Sequence, residues 1–328
     1  MIVVTGGAGF IGSNLVAGLE ARGEPTVVLS DHLRSGDKWR NVAKRDLADL
    51  VFPEALPDFL NAHGSEVRAV FHLGAVSSTT ESDADLIFAT NVHLSRDLWR
   101  WCAEEQVPFI YASSAATYGD GDAGFDDDGS VEGLARLRPM NPYGWSKHLF
   151  DRMVARWVAV DAPVPPQWAG LKFFNVYGPN EYHKGAMQSI VAKTFPAAAA
   201  GEDLTLFRSH NPDYPDGGQL RDFVSVDDCV SVMLWLLDHP ETSGLFNLGT
   251  GQARSFSDVM ESLCAALDRE VAVRWVDTPI EIRDRYQYYT QAEMGRLRAA
   301  GYTKPLLSLE EGIGDYVRNY LATDDPYR

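Results

Sequence analysis

Apolar residues fall along this chain in short unbroken runs separated by stretches of helical period. IVVT at 2–5 is the first run, followed by a glycine-rich turn and a helix-like stretch at 10–22. TVVLS at 26–30 is the second and ends at Asp31. VRAVFHL at 67–73 and VPFIYAS at 107–113 come next, with a helical stretch around 84–105 between them. Short buried strands alternating with helices predict a parallel sheet joined by right-handed crossovers. After about residue 170 the texture changes. LKFFNV reads as a strand, helix is expected near 186–200, and 208–220 is a polar loop rich in Pro and Gly. Strand and helix resume over 222–238, and FNLGT at 246–250 is strand-like and able to rejoin the large sheet. There is no internal repeat. The expected architecture is α/β: a doubly wound parallel sheet in residues 1–170, with later strands returning near 220–250, and a smaller mixed lobe in 171–328.

Composition narrows the class of protein. The chain has 328 residues, 45% hydrophobic and 23% charged, as expected for a globular protein with a sizeable core. No apolar run is long enough to read as a membrane span. MIVVTGGAGF lacks a basic leader and enters a strand at once, so it does not read as a signal peptide. Cys102, Cys229 and Cys264 fit neither a zinc site nor a disulfide framework and read as free thiols in a reducing cytoplasm. The formal net charge of −17 argues against nucleic-acid or anionic-membrane partners. It also requires cations to be gathered locally wherever a polyanionic ligand binds. Asp126–Asp128 reads as a solvated acidic loop.

GGAGFIG at 6–12 contains Gly7-x-Gly9-x-x-Gly12, after an apolar strand and at the opening of a helix. Glycine there lets backbone N–H groups approach a pyrophosphate, and the helix N-terminus adds partial positive charge. This context predicts a nicotinamide dinucleotide site on a Rossmann-type sheet. Asp31 at the end of the second strand suits the adenosine ribose of NAD, whereas Arg34 and Lys38 suit a 2′-phosphate, so NADP and NAD both stay open. The candidate cofactor contacts are Gly6, Gly9, Phe10, Ile11, Gly12, Asp31, His32, Lys38, Leu73, Gly74, Ala75, Ser77, Asn91, Tyr143 and Lys147.

Tyr143 and Lys147 form a Y-x-x-x-K pair within NPYGWSK, on one face if the segment is helical. A free phenol titrates near 10. A neighbouring ammonium and the nicotinamide charge are expected to lower that value and make Tyr143 a base. Upstream, ASSAATYG at 112–119 ends a strand and offers Ser114 to the reacting oxygen.

TGGAGFIG, this Ser–Tyr–Lys set, FNVYGP at 174–179 and RDFV at 221–224 resemble the extended short-chain dehydrogenase/reductase superfamily. A narrower resemblance is carried by SSTTE (77–81), ASSAATYG, FNVYGPNEYHKGAM (174–187), RYQYYTQAE (285–293) and LRAAGYTKP (297–305), which are similar to the ADP-L-glycero-D-manno-heptose 6-epimerases. That resemblance implies oxidation at C6 of the heptose by tightly held NADP, followed by reduction of the ketone on its opposite face. It implies Lys184 as a second base. It places Asn175, Val176, Ala186, Lys193, Phe207, Arg208, Ser209, His210, Arg221 and Tyr286 at the nucleotide sugar. It further implies a cytoplasmic homo-oligomer, a pentamer, acting in lipopolysaccharide inner-core precursor synthesis. The chain departs from the family where a lysine of the NADP region becomes Pro53, a serine becomes Ala186 and a histidine becomes Lys193. Segment 208–220 and the loop between Ser114 and Tyr143 are longer. A UDP-hexose 4-epimerase is the rival reading. A 4,6-dehydratase is disfavoured, because Ala115 and Ala116 follow Ser114 where an Asp-Glu pair would be needed. A cofactor-sensing protein with a dead site is disfavoured by the intact Ser–Tyr–Lys set.

Overall fold

The computed structural model describes residues 1–24, 26–283 and 287–328. In chain order its strands are β1 (Ile2–Thr5), β2 (Val27–Ser30), β3 (Asp49–Val51), β4 (Ala69–His72), β5 (Phe109–Ser114), β6 (Trp168–Phe173), β7 (Asn175–Tyr177), β8 (Leu204–Phe207), β9 (Leu220–Ser225), β10 (Gly244–Leu248), β11 (Ala253–Ser255) and β12 (Val273–Val276). Seven of them form one parallel sheet in the order β10-β6-β5-β4-β1-β2-β3. The winding reverses between β1 and β4, and the crevice beyond the carboxyl ends of those strands is where such sheets bind ligands.

Every residue of β1, β2 and β4 is buried, because helices cover both faces of the sheet. Side chains alternate between two cores, as the pleat demands. Ile2 and Val4 join Leu15, Leu19, Phe71, Val230 and Met233 on one face. Val3 joins Val28, Val70, Trp99, Phe109 and Phe150 on the other. A third core, around Val191, Leu206, Phe223, Leu263 and Ile313, belongs to the smaller mixed sheets, β11-β9-β7 and β12-β8.

Four features depart from the pattern-based reading. β3 was not expected; it is three residues long and begins on exposed Asp49, too short for a period to register. LKFFNV divides at Phe174, so that β6 stays in the large sheet while β7 pairs with β9 in the small one. The helix expected near 186–200 begins only at Ile190, where Ser189 accepts a hydrogen bond from the Ala192 N–H and caps it. The stretch 84–105 is a helix interrupted by a π-turn at Ala89–His93. β10 pairs with β6 in register Phe246↔Leu171 and closes the edge of the large sheet. Among the described residues no helix is long and apolar enough to cross a membrane.

One buried residue makes the core sensitive to acid. His72 Nε2 lies 2.8 Å from Ser95 Oγ, which itself donates to the Asn91 carbonyl at 2.6 Å. Nε2 is therefore the donor, and Nδ1 accepts from Thr5 Oγ1 at 2.7 Å. Burial, with the nearby Lys147 charge, pushes this imidazole down to about 3. The unfolded chain takes up the proton first, near 6.5. The His72 contribution to stability is thus whole above about pH 6.5 and is lost as pH falls toward 3, at about 1.4 kcal/mol per pH unit. Thermal melts of a His72→Asn variant should fall less steeply with pH than wild type between pH ~6 and ~4. Parallel pH slopes for the two proteins would contradict this account.

Candidate active site

β1 runs into the glycine turn at the point where the sheet reverses. Gly6 has φ +66°, and a Cβ there would meet the Gly74 Cα at 2.6 Å. A Cβ on Gly12 would meet the Gly6 carbonyl oxygen at 2.2 Å. The turn is therefore pressed onto the Leu73–Gly74 backbone behind β4 and onto the first turn of the helix Phe10–Ala21. That helix starts with no side-chain cap and no acidic residue in its first turn, which leaves its positive end to an anionic ligand. The cradle fits a dinucleotide pyrophosphate. Gly12→Ala should weaken binding of a nicotinamide dinucleotide at least about tenfold, since the clash is with backbone; fluorescence titration measures this. Unchanged affinity would mean that the cradle lies elsewhere.

A cleft of about 980 Å³ opens from this turn between the large sheet and the smaller lobe. It is lined by Gly6, Gly9, Phe10, Ile11, Gly12, Asp31, Arg34, Lys38, Leu73, Gly74, Ala75 and Ser77 at one end. Asp31 Oδ2 accepts the Ala8 N–H at 3.0 Å, and Oδ1 accepts the His32 N–H at 2.7 Å and Lys38 Nζ at 2.6 Å. The carboxylate therefore enters the cleft already paired with a cation. Two expected cofactor residues lie off the cleft. The His32 ring stacks on Phe52 and its Nε2 bonds Glu54 at 2.9 Å, facing away. Asn91 is buried, and its amide is taken up by both backbone groups of Val76 (2.8 and 3.0 Å) and by Ser146 Oγ (3.0 Å). It ties the loop after β4 to the tyrosine helix.

The middle of the cleft is formed by the helix Pro142–Ala159 and the end of β5. Asn141 caps the helix by accepting the Gly144 N–H at 2.8 Å, and Pro142 occupies its first turn. A Cβ on Gly144 would meet the Ala116 carbonyl oxygen at 2.6 Å, so this turn lies directly on the 115–118 turn that follows β5. The close approach puts the Tyr143 phenol in hydrogen-bonding reach of Ser114, whose Oγ also accepts the Ala116 N–H at 3.1 Å. Lys147 follows one turn later, 4% exposed. One more turn on, buried Asp151 accepts from Ser113 Oγ at 2.7 Å, Tyr111 Oη at 3.1 Å and Lys172 Nζ at 3.0 Å.

The protein's own groups do not make Tyr143 more acidic. Burial raises the phenol above its ordinary value, and the Ser114 hydrogen bond opposes this only in part. Burial also pushes Lys147 down to about 8, against the pull of Asp151. In the protein alone, desolvation of phenolate outweighs any help from the ammonium.

The opposite wall is the turn Tyr182–Met187. Lys184 Nζ sits 5.1 Å from the centroid of the Phe10 ring. Burial lowers its basicity, Glu181 opposes, and Lys193 adds a further lowering. Asn175, Val176, Ala186, Lys193 and Phe207 also line the cleft. Arg208, Ser209, His210 and Arg221 do not. Arg208 pairs with Asp216 at 3.2 Å, the Ser209 N–H donates to the same carboxylate at 2.8 Å, and the His210 N–H donates to Tyr288 Oη at 2.9 Å. Arg221 is 8% exposed and donates to the carbonyls of Leu220 (2.8 Å) and Gln287. Tyr286 lies outside the described residues. Sequence reasoning missed His183, Gln188, Gln219, Gln287 and Thr290, which line the cleft. His183 had a signal, its adjacency to Lys184. Gln287 and Thr290 lie in the family-like segment RYQYYTQAE, but its local pattern does not show that they reach the site, which they do where segment 288–290 runs alongside β9, bonded through the Leu220 N–H and carbonyl.

Known proteins share this fold and much of this sequence. The model of the NAD dependent epimerase/dehydratase family matches residues 2–249. An ADP-L-glycero-D-manno-heptose-6-epimerase of Nitratidesulfovibrio vulgaris (strain Hildenborough) is 47% identical over 330 residues, covering 100% of both chains. One from Fusobacterium nucleatum is 46% identical, again over 100% of both. Among solved structures, the Helicobacter pylori ADP-L-glycero-D-manno-heptose-6-epimerase superposes with a TM-score of 0.80 at 29% identity, covering 97% of this chain and 95% of that one. A Thermus thermophilus UDP-glucose 4-epimerase, solved with NAD, gives 0.75 at 26% identity over 96% and 97%.

Proposed function

Because this chain belongs to the NAD dependent epimerase/dehydratase family and matches ADP-heptose 6-epimerases along its whole length, we propose that it is an isomerase acting on that nucleotide sugar. It converts ADP-D-glycero-D-manno-heptose to the L-glycero form by inversion at C6, a step toward the lipopolysaccharide inner core. A bound nicotinamide dinucleotide supplies the hydride acceptor and donor. The observation that carries the mechanism is the placement of Tyr143, with Ser114 and Lys147, on one wall of the cleft and Lys184 on another.

Inversion needs a proton-transfer group for each presentation of the sugar oxygen. Tyr143 takes the hydroxyl proton while Ser114 holds the reacting oxygen. After the ketone turns, Lys184 delivers a proton from the other side. Exchange with solvent returns both groups to their starting states. Burial already lowers the basicity of Lys184, which eases release of its proton. Asn175, Val176, Ala186, Lys193 and Phe207 hold the nucleotide sugar. NADP is the resident cofactor in this reading: Asp31 is neutralised by Lys38, Arg34 stands beside them, and the net cation receives a 2′-phosphate although Pro53 offers no charge. The protein works in the cytoplasm as a homo-oligomer, a pentamer by resemblance, with neither nucleic acid nor membrane as partner.

The test is NMR of the purified protein with ADP-D-glycero-D-manno-heptose, following the C6 proton. Inversion at C6 is expected. Turnover of UDP-glucose in its place would transfer the assignment to a UDP-hexose 4-epimerase. Denaturing the protein should release NADP, and release of NAD would refute the 2′-phosphate reading.

A further inference from the structure

Segment Asp324–Arg328 crosses the outside of the molecule and joins two stretches that supply the cleft with cations. On one side lies the turn Asp37–Asn41 with its continuation to Lys44, which carries Lys38. Lys44 Nζ donates to the Tyr327 carbonyl at 2.6 Å and pairs with Asp325 at 2.9 Å. The Arg40 guanidinium lies over the Tyr327 ring at 4.5 Å. On the other side lies Asn180–Met187, which carries His183 and Lys184. Tyr182 Oη donates to the Pro326 carbonyl at 2.9 Å, its ring meets that of Tyr327 edge-on at 5.2 Å, and the Arg328 N–H donates to Asn180 Oδ1 at 2.9 Å. Arg328 is anchored in turn by an ion pair with Asp227 and by a bond from Nε to Tyr320 Oη at 2.9 Å. None of residues 324–328 lines the cleft.

From this arrangement we infer that Asp324–Arg328 is a strap whose anchors, Tyr327 and Arg328, are positioning residues that hold the Lys38 turn and the Lys184 turn together around the bound cofactor. The Lys184 turn needs such support. It belongs to no sheet, and Gly185 within it has φ +52°. Its inner ties run through Asn41, whose Nδ2 bonds His183 Nδ1 at 3.1 Å and donates to the Ala8 carbonyl at 2.9 Å in the glycine turn, through Asn180 Nδ2, which donates to Ser13 Oγ at 3.0 Å, and through buried Glu181, which accepts from Ser189 Oγ at 2.7 Å and Tyr316 Oη at 3.3 Å. The strap clamps the same two turns from outside. An enzyme that oxidises and re-reduces one sugar must keep its cofactor between the two steps, and a clamp away from the chemistry slows cofactor escape without obstructing the sugar. The inference rests on the proposed function only for the reason retention is needed.

The test uses the full chain. Purified protein is loaded with NADPH, and loss of bound-nucleotide fluorescence is followed after mixing with excess NADP. Hydrogen exchange of residues 37–44 and 180–188 is measured without cofactor. Tyr327→Ala removes the ring from between Arg40 and Tyr182 and should speed release about tenfold and deprotect both segments. Arg328→Ala should act in the same direction. Tyr327→Phe keeps the ring and the backbone bonds and should stay within about twofold of wild type. The strap is overturned if release and exchange in Tyr327→Ala match wild type, if Tyr327→Phe behaves like the alanine variant, or if exchange rises while release is unchanged. Absence of epimerisation by the wild-type protein would count against the functional reading alone, because exchange and release do not depend on the sugar.

Discussion

Tyr143→Phe is expected to slow epimerisation by at least about a hundredfold while the protein still binds its cofactor, because the variant loses an acid–base group and no packing. The ring stays on its helix, Asn141 still caps that helix, and Ser114 Oγ still accepts the Ala116 N–H. The loss should appear in kcat rather than KM, since the phenol acts on a proton that moves only in the reaction. Turnover of ADP-heptose by NMR, beside a fluorescence titration of NADPH, measures both quantities. Near-normal turnover would remove Tyr143 from proton transfer. Because burial alone raises this phenol and draws Lys147 down to about 8, Lys147 must keep its proton to stabilise phenolate. Lys147→Met should therefore also fall at least about a hundredfold, and through a different route: it removes a cation that lines the cleft.

Lys184→Ala is expected to bind NADP normally and to lose epimerisation by at least about a hundredfold. The first oxidation should survive, since Tyr143, Ser114 and Lys147 are untouched, so reduced nicotinamide accumulates where wild type shows none. Lys184→Arg separates two roles. Arginine keeps the charge but does not give up its proton near neutral pH. If Lys184 transfers a proton, the arginine variant is as inactive as the alanine one. If it only anchors a phosphate, arginine restores activity and the second-base role falls. The environment favours transfer, since burial and the neighbouring Lys193 both lower its basicity while Glu181 alone opposes them.

Much of the fold was legible because its signals are local. A strand buried on both faces must be largely apolar, and β1, β2 and β4 each carry one polar residue only, Thr5, Ser30 and His72, at the carboxyl end. The glycine turn is dictated by contacts a few residues apart, such as Gly12 against the Gly6 carbonyl. Tyr143 and Lys147 share a face because a helix turns once in about four residues. The partners of polar side chains were not legible. Asn91, expected at the cofactor, bridges Val76 and Ser146. Arg208 turned to Asp216, and Arg221 to the Gln287 carbonyl. Asn91 and Arg221 are buried, and a buried polar group must take the partner that folding brings to it. β3, with three residues, carried too few positions to show any period.

By itself the sequence determined the alternation of strands and helices, the cofactor turn and the pairing of Tyr143 with Lys147, since backbone sterics and hydrophobic period act between near neighbours. Only the tertiary structure decided that Phe174 hands the chain from the large sheet to the small one, that Lys184 sits over the Phe10 ring, and that burial in the protein alone raises Tyr143. Desolvation and side-chain pairing are set by what is near in space, and some of those neighbours, as Phe10 is to Lys184, lie far away along the chain.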